Sequence, residues 1–117
     1  MTRDFRDYLD DMLEYAAKAR AFVGDMTRDS FVADDKTHLA TVRAIEIIGE
    51  AARQVPPEFR DRFPEIPWKR IIAMRNILAH NYDGADPGIV YDTATIFAPQ
   101  LAALLPAVIA AAEDASR

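Results

Sequence analysis

No cysteine occurs among the 117 residues, which excludes disulfides, thiolate metal sites and cysteine nucleophiles. A long uninterrupted apolar run is also missing. The most apolar stretch, Leu101 to Ala112, contains Pro106 and falls short of the roughly 20 residues needed to span a bilayer, so it predicts a core helix and no membrane association. The first residues, Met1 to Asp7, are charged where a secretory signal has an apolar core, and a cytoplasmic location is expected. No segment sustains two-residue alternation and no internal repeat is visible, which argues against sheets and repeat arrays. Positive charge is short as well: 14 Lys and Arg against 19 Asp and Glu leave a formal net charge of −5, unlike a general nucleic-acid binder, which needs cations to displace counterions.

What remains is the composition of a folded soluble protein, half apolar and 28% charged, with a length that fits one domain over residues 1–117. Phe5, Tyr8, Leu9, Met12, Tyr15, Ala16, Ala19, Phe22 and Val23 recur at helical steps, and Gly24 ends that run. A short acidic link through Thr27 and Phe31 leads to a second run, Leu39, Val42, Ile45, Ile48, Ala52 and Val55. Asp34 or Asp35 can cap its start, and Pro56-Pro57 stops it. Gly49 costs stability in the middle of this run, which predicts the close approach of another helix.

The Pro-interrupted segment from Phe59 to Pro67 predicts a loop with at most one helical turn. Pro67 suits the first turn of a third helix that carries Trp68, Ile71, Ile72 and Leu78 into the core, and Asp83-Gly84 turns the chain after it. A last helical region from Pro87 onward holds Ile89, Val90, Ile96, Leu101, Leu104, Leu105, Val108 and Ile109, with Pro99 and Pro106 expected to break or kink it. The expected fold is all-α, an antiparallel up-down bundle of four to five helices.

Charge is unevenly spread along this chain. From Arg53 to Tyr82 six basic residues (Arg53, Arg60, Arg62, Lys69, Arg70, Arg75) face three acidic ones (Glu58, Asp61, Glu65), a local +3. A phosphate-binding face is expected there, with Lys69 and Arg70 as RNA contacts. Ordinary charge mixing on a solvated helix face gives such an excess too.

Within that segment, Met74-Arg75-Asn76-Ile77-Leu78-Ala79-His80-Asn81-Tyr82 is where chemically capable groups interrupt an apolar helix. At about 100° per residue Asn76 and His80 fall one turn apart on one stripe, while Arg75 and Tyr82 nearly eclipse on a neighbouring one. Histidine exchanges protons near neutral pH, and arginine holds a phosphate and stabilises the charge that builds on it. Together they suit phosphodiester cleavage. RNA carries its own nucleophile in the 2′-hydroxyl, so neither a metal nor another cofactor is called for, and the chain shows no obvious metal cluster. The alternative is purely structural: the same four residues near a helix end can cap carbonyls and complement the helix dipole.

The pattern Arg75-x4-His80-x-Tyr82, with Asn76 directly after the arginine, resembles the signature of HEPN domains. Ala44-Ile45-Glu46-Ile47-Ile48-Gly49-Glu50-Ala51 and Phe63-Pro64-Glu65-Ile66-Pro67-Trp68, followed by the motif itself, resemble successive landmarks of the HepT-like branch. The resemblance implies a ribonuclease toxin of a type VII toxin–antitoxin system, working as a homodimer whose two motifs share a cleft. It implies Arg75 and His80 as catalytic residues and Asn76 as the residue that orients them or the phosphate. It further implies an ATP-dependent partner, a minimal nucleotidyltransferase antitoxin of the MntA type that transfers AMP to Tyr82. Where such proteins usually have a tryptophan soon after the motif, this chain has Tyr91, read as a packing variation. A HEPN module that only dimerises and binds partners, without cleaving RNA, is the rival expectation.

Three other features stand apart from the motif. Glu46 and Glu50 sit one turn apart, compatible with a metal or proton relay, but Arg43 and Arg53 can each pair with one of them. His38, near a helix start, is expected at the surface. Trp68 and Phe63 suit core or dimer contacts better than base stacking.

Overall fold

The first helix starts where Asp4 can cap it. The computed structural model, which describes residues 3–80 and 86–115, opens with α1 (Phe5–Val23), whose N-cap Asp4 accepts from the Arg6 amide while the Asp7 side chain reciprocates in a capping box. Gly24 closes α1 at φ 57°, a conformation open to glycine. The acidic link that follows is partly helical. It contains a short helix, α2 (Arg28–Val32), capped by Thr27 and anchored by the buried ring of Phe31.

Asp34 then caps α3 (Asp35–Arg53), and Pro57 opens a single turn, α4 (Pro57–Arg60), two residues earlier than the expected loop. Pro67 precedes α5 (Trp68–His80) and accepts the Ile71 amide, so it stands just before the helix and not inside its first turn. The last region comprises α6 (Pro87–Asp92), a π-helical turn at Thr93–Phe97, and α7 (Ala98–Ala115).

Neither proline breaks this last region; the helix is continuous over 29 residues. The wide turn sits directly before Pro99, where the proline ring would otherwise press on the carbonyl four residues back. Across it the Ala98 amide reaches the Thr93 carbonyl, and the hydroxyls of Thr93 and Thr95 donate to the carbonyls of Ile89 and Tyr91, each at 2.8 Å. By length and composition this helix could cross a membrane, which revises the reading of Leu101–Ala112 as too short. Its stripe Ala98, Leu101, Leu105, Val108 and Ala112 is nevertheless buried as the seam against α1.

Four long helices form the bundle in the order α5, α3, α1, α7, and neighbours run antiparallel. Arg3, Tyr8 and Asp11 near the start of α1 border the same groove as Arg43, Glu50 and Gln54 of α3. Gly49 of α3 faces Ile71 and Arg75, whereas Ile45, one turn earlier, faces Ile77 and Leu78 further along α5. The end of α7 returns to the start of α1, where Glu113 lies in electrostatic reach of Arg6 and Asp10. No strand occurs among the described residues, and the fold is the expected all-α, up-down helical bundle.

Candidate active site

Three contacts seat α5. The Trp68 indole N–H donates to the Phe63 carbonyl at 3.0 Å, and Trp68, Ile71 and Leu78 are buried against the core. Phe63 packs its ring on Phe59 at 5.1 Å, so both aromatics serve as structural contacts. The third contact is the approach to α3: a Cβ on Gly49 would overlap the Cβ of Arg75 and lie 3.0 Å from the Ile71 carbonyl oxygen. Only glycine allows the two backbones this close, as its position in the run suggests.

Arg75 occupies that crossing. Its side chain is 24% exposed, with Nε buried and without a hydrogen-bond partner among the described residues. The outer nitrogens project further. Nη1 donates to Asn76 Oδ1 at 3.1 Å, and Nη2 lies 3.6 Å from Glu50 Oε1 on α3. Asn76 is exposed, and because its carbonyl oxygen accepts from Arg75, its NH2 group is the part left to donate. α5 continues to His80, which places Asn76 and His80 one turn apart on one helix. The side chains of Ala79 and His80, and the whole of 81–85 with Tyr82, lie outside the described residues.

Beside this pair the two glutamates of α3 are not arranged as their spacing suggested. Arg43 Nη1 is 3.4 Å from both Glu46 Oε2 and Glu50 Oε1, so one arginine serves two carboxylates, and Arg75 takes the place expected of Arg53 at Glu50. Sequence reasoning missed that role for Glu50. The signal was present in its neighbour Gly49, which marks where the next helix must come close.

Lys69 and Arg70 are both exposed, but neither lies beside Arg75. Lys69 borders a groove with Pro57, Arg60, Asp61 and Trp68, about 9 Å along the helix axis from Arg75. Arg70 lines a different groove, with Met74, Ile77 and Ile89. That second groove is apolar, and Ile77, Ile89 and Ile96 around it are 59%, 61% and 58% exposed. Ile89 and Ile96, apolar residues of the last helical region, thus face this groove and not the core.

Two further expectations meet different outcomes. His38 is only partly exposed: its ring packs edge-on against Phe31 with centroids 5.8 Å apart, and its Nδ1 is buried. Tyr91 does pack, with its ring 5.6 Å from Phe31 and its hydroxyl donating to the Met26 carbonyl at 2.9 Å.

The sequence resembles known proteins along most of its length. The family model described as "Ribonuclease HepT-like" matches residues 12–108. A protein of Thermococcus cleftensis named "Probable ribonuclease HepT" is 38% identical over 101 residues, covering 86% of this chain and 92% of that protein. Two proteins of Methanocaldococcus jannaschii, each named "Putative RNase", are 39% and 42% identical, over 77% and 72% of this chain and 74% and 77% of their own. No solved structure matches.

Proposed function

Since the chain belongs to the HepT-like ribonuclease family, we propose that it is a metal-independent endoribonuclease, acting as the toxin of a toxin–antitoxin pair in the cytoplasm. The observation that carries this reading is the placement of Arg75. Its guanidinium reaches the surface with Asn76 alongside, on a helix that runs on to His80 one turn later.

An RNA phosphate bound there meets a forked cation, and the groups have complementary tasks. His80 accepts the proton of the 2′-hydroxyl, the 2′-oxygen bonds to the adjacent phosphorus, and the bond from phosphorus to the 5′-oxygen breaks. The 5′-oxygen leaves with the proton that His80 took up, and a cyclic phosphate remains. Arg75 stabilises the charge on the phosphoryl oxygens, and the Asn76 amide helps orient them. Two copies about a twofold axis supply two histidines to one cleft, and the exposed Ile77, Ile89 and Ile96 beside α5 are the apolar surface such a homodimer would bury.

Control in this reading falls on Tyr82. A partner nucleotidyltransferase joins the α-phosphorus of ATP to the Tyr82 oxygen, releasing pyrophosphate. The attached AMP then brings its own phosphate to Arg75 and occupies the place of RNA.

One experiment tests the whole. Total RNA with a chelator is incubated with the protein, with Arg75→Ala, with His80→Ala, and with protein pretreated by its nucleotidyltransferase, ATP and magnesium. Cleavage by the untreated protein, lost by at least about a hundredfold in both variants, is expected. The pretreated sample should gain the mass of AMP at Tyr82 and fall silent. RNA left intact by the untreated protein would instead favour the partner-binding module.

A further inference from the structure

We propose that Glu50 is a positioning residue for Arg75, and that Gly49 is the neighbour that allows it to be one. The consequence for catalysis rests on the ribonuclease reading above, whereas the contact itself rests on geometry.

Arginine is a long side chain with many rotamers, and α5 alone offers Arg75 little to hold it. Among the described residues its one partner on that helix is Asn76, the adjacent residue. The second hold comes from across the helix crossing. Gly49 leaves the space through which the β- and γ-carbons of Arg75 pass, close enough that any side chain at position 49 would displace them. One residue on, the Glu50 carboxylate meets Nη2 at 3.6 Å. The stem is fixed by packing, Nε is withdrawn from solvent, and the two outer nitrogens are each assigned a side. Held in this way, the guanidinium presents the same edge outward each time a phosphate arrives.

An acid beside a phosphate-binding arginine competes for its charge, and the geometry limits that competition. The contact is longer than a tight hydrogen bond, Glu50 is 41% exposed, and its Oε1 is shared with Arg43 at 3.4 Å. Arg43 competes with Arg75 for that same oxygen. Glu50 thus steers Arg75 without neutralising it, and the guanidinium, with five N–H groups, keeps donors for the substrate. An ordinary surface ion pair of α3 would join residues three or four apart on that helix, as Arg43 and Glu46 do; this one joins two helices at the residue the chemistry needs.

The test is Glu50→Gln, which keeps size and an acceptor oxygen while removing the charge. Two readouts are taken on the same preparation: steady-state cleavage of an RNA substrate, and the side-chain Nε–H resonance of Arg75 in nitrogen-15 spectra. The expected result is a kcat lower by about ten- to a hundredfold with KM changed less than about threefold. The Arg75 resonance should pass from ordered to mobile, at an unchanged melting temperature. A variant that cleaves like the parent, or an Arg75 resonance that keeps its order, overturns the proposal. Should the parent protein leave RNA intact, the ribonuclease reading falls, and the Arg75 resonance still decides whether Glu50 holds it. If Glu50→Gln fails to fold, Glu50→Asp, which keeps the charge, is judged by the same resonance: partial order supports the proposal and full order refutes it.

Discussion

The seam between α1 and α7 and the seam between α3 and α5 use the same kind of helix and bury different things. In the first, Leu9, Met12 and Ala16 meet Leu101, Leu105 and Val108, and every one of these is at most 1% exposed. In the second, Ile45, Ile48 and Ile71 begin a similar seam, but Gly49 and Arg75 take its centre, and Glu46, Glu50 and Arg43 cover its edge with charge. The first seam holds the fold and the second presents a group. An arginine at a helix crossing gives up apolar contact that a leucine would make there, and that loss is tolerable because α1 and α7 supply the stability elsewhere.

The division can be broken most severely from the stable side. Leu105 is fully buried between helices, so Leu105→Ala is expected to cost about 2–5 kcal/mol through lost transfer energy and the cavity left behind. Denaturant unfolding should show this loss, while the folded fraction at low denaturant retains its kcat. A specific activity that falls in step with stability, even where the variant is fully folded, would mean that the two seams are not separate.

From the other side, Gly49→Ala gains about 1 kcal/mol of helix propensity and meets an overlap with the Arg75 Cβ that costs about 1–3 kcal/mol. The backbones must separate, because the Ile71 carbonyl oxygen cannot swing aside like the tip of a side chain. A modest net destabilisation is expected, with a loss of RNA cleavage out of proportion to it, since the displaced residue is Arg75. Comparing kcat with unfolding free energy for Leu105→Ala and Gly49→Ala places the two variants on opposite sides of the diagonal. Coincidence on one line would dissolve the contrast.

The stable seam was also the more legible one. Apolar spacing over Phe5–Val23, the stop at Gly24, the cap at Asp34 and the Pro56-Pro57 boundary are local signals, and the helices follow them. The motif from Arg75 to His80 was legible as a helical stretch for the same reason. Harder to see were features set by what one helix meets. The spacing of Ile77, Ile89 and Ile96 is helical whether a side chain faces the core or a groove, so the pattern could not show that they are exposed. The pairing of Glu50 with Arg75 depends on a crossing distance, to which Gly49 was the only sequence clue. The continuation through Pro99 required a π turn with threonine hydroxyls on the carbonyls behind it, and no periodicity encodes that.

The smallest expected effect lies at the charged start of α1, and it sharpens the comparison by showing what the stable seam does not rely on. Asp4 accepts from the side chain and the amide of Arg6, and these bonds hold its carboxyl below the ordinary 3.8. A group whose folded value is depressed lends stability above its unfolded value and loses it as the pH falls through the folded one. Asp10 behaves oppositely: burial first, then Asp7, Glu113 and Asp11, raise its carboxyl above 3.8, so it opposes folding when ionised and ceases to as acid protonates it. The two contributions run against each other across the acid range, and both groups sit largely in solvent. Asp4→Asn keeps a good N-cap oxygen and loses only the charge. Its melting temperature should therefore fall slightly below that of the parent at neutral pH, by far less than the fall caused by Leu105→Ala, and the difference should vanish well below pH 3.8. A gap that persists in acid would show that the cap acts through shape and not charge; a fall at neutral pH as large as that of Leu105→Ala would move part of the bundle's stability from the buried seam to its charged rim.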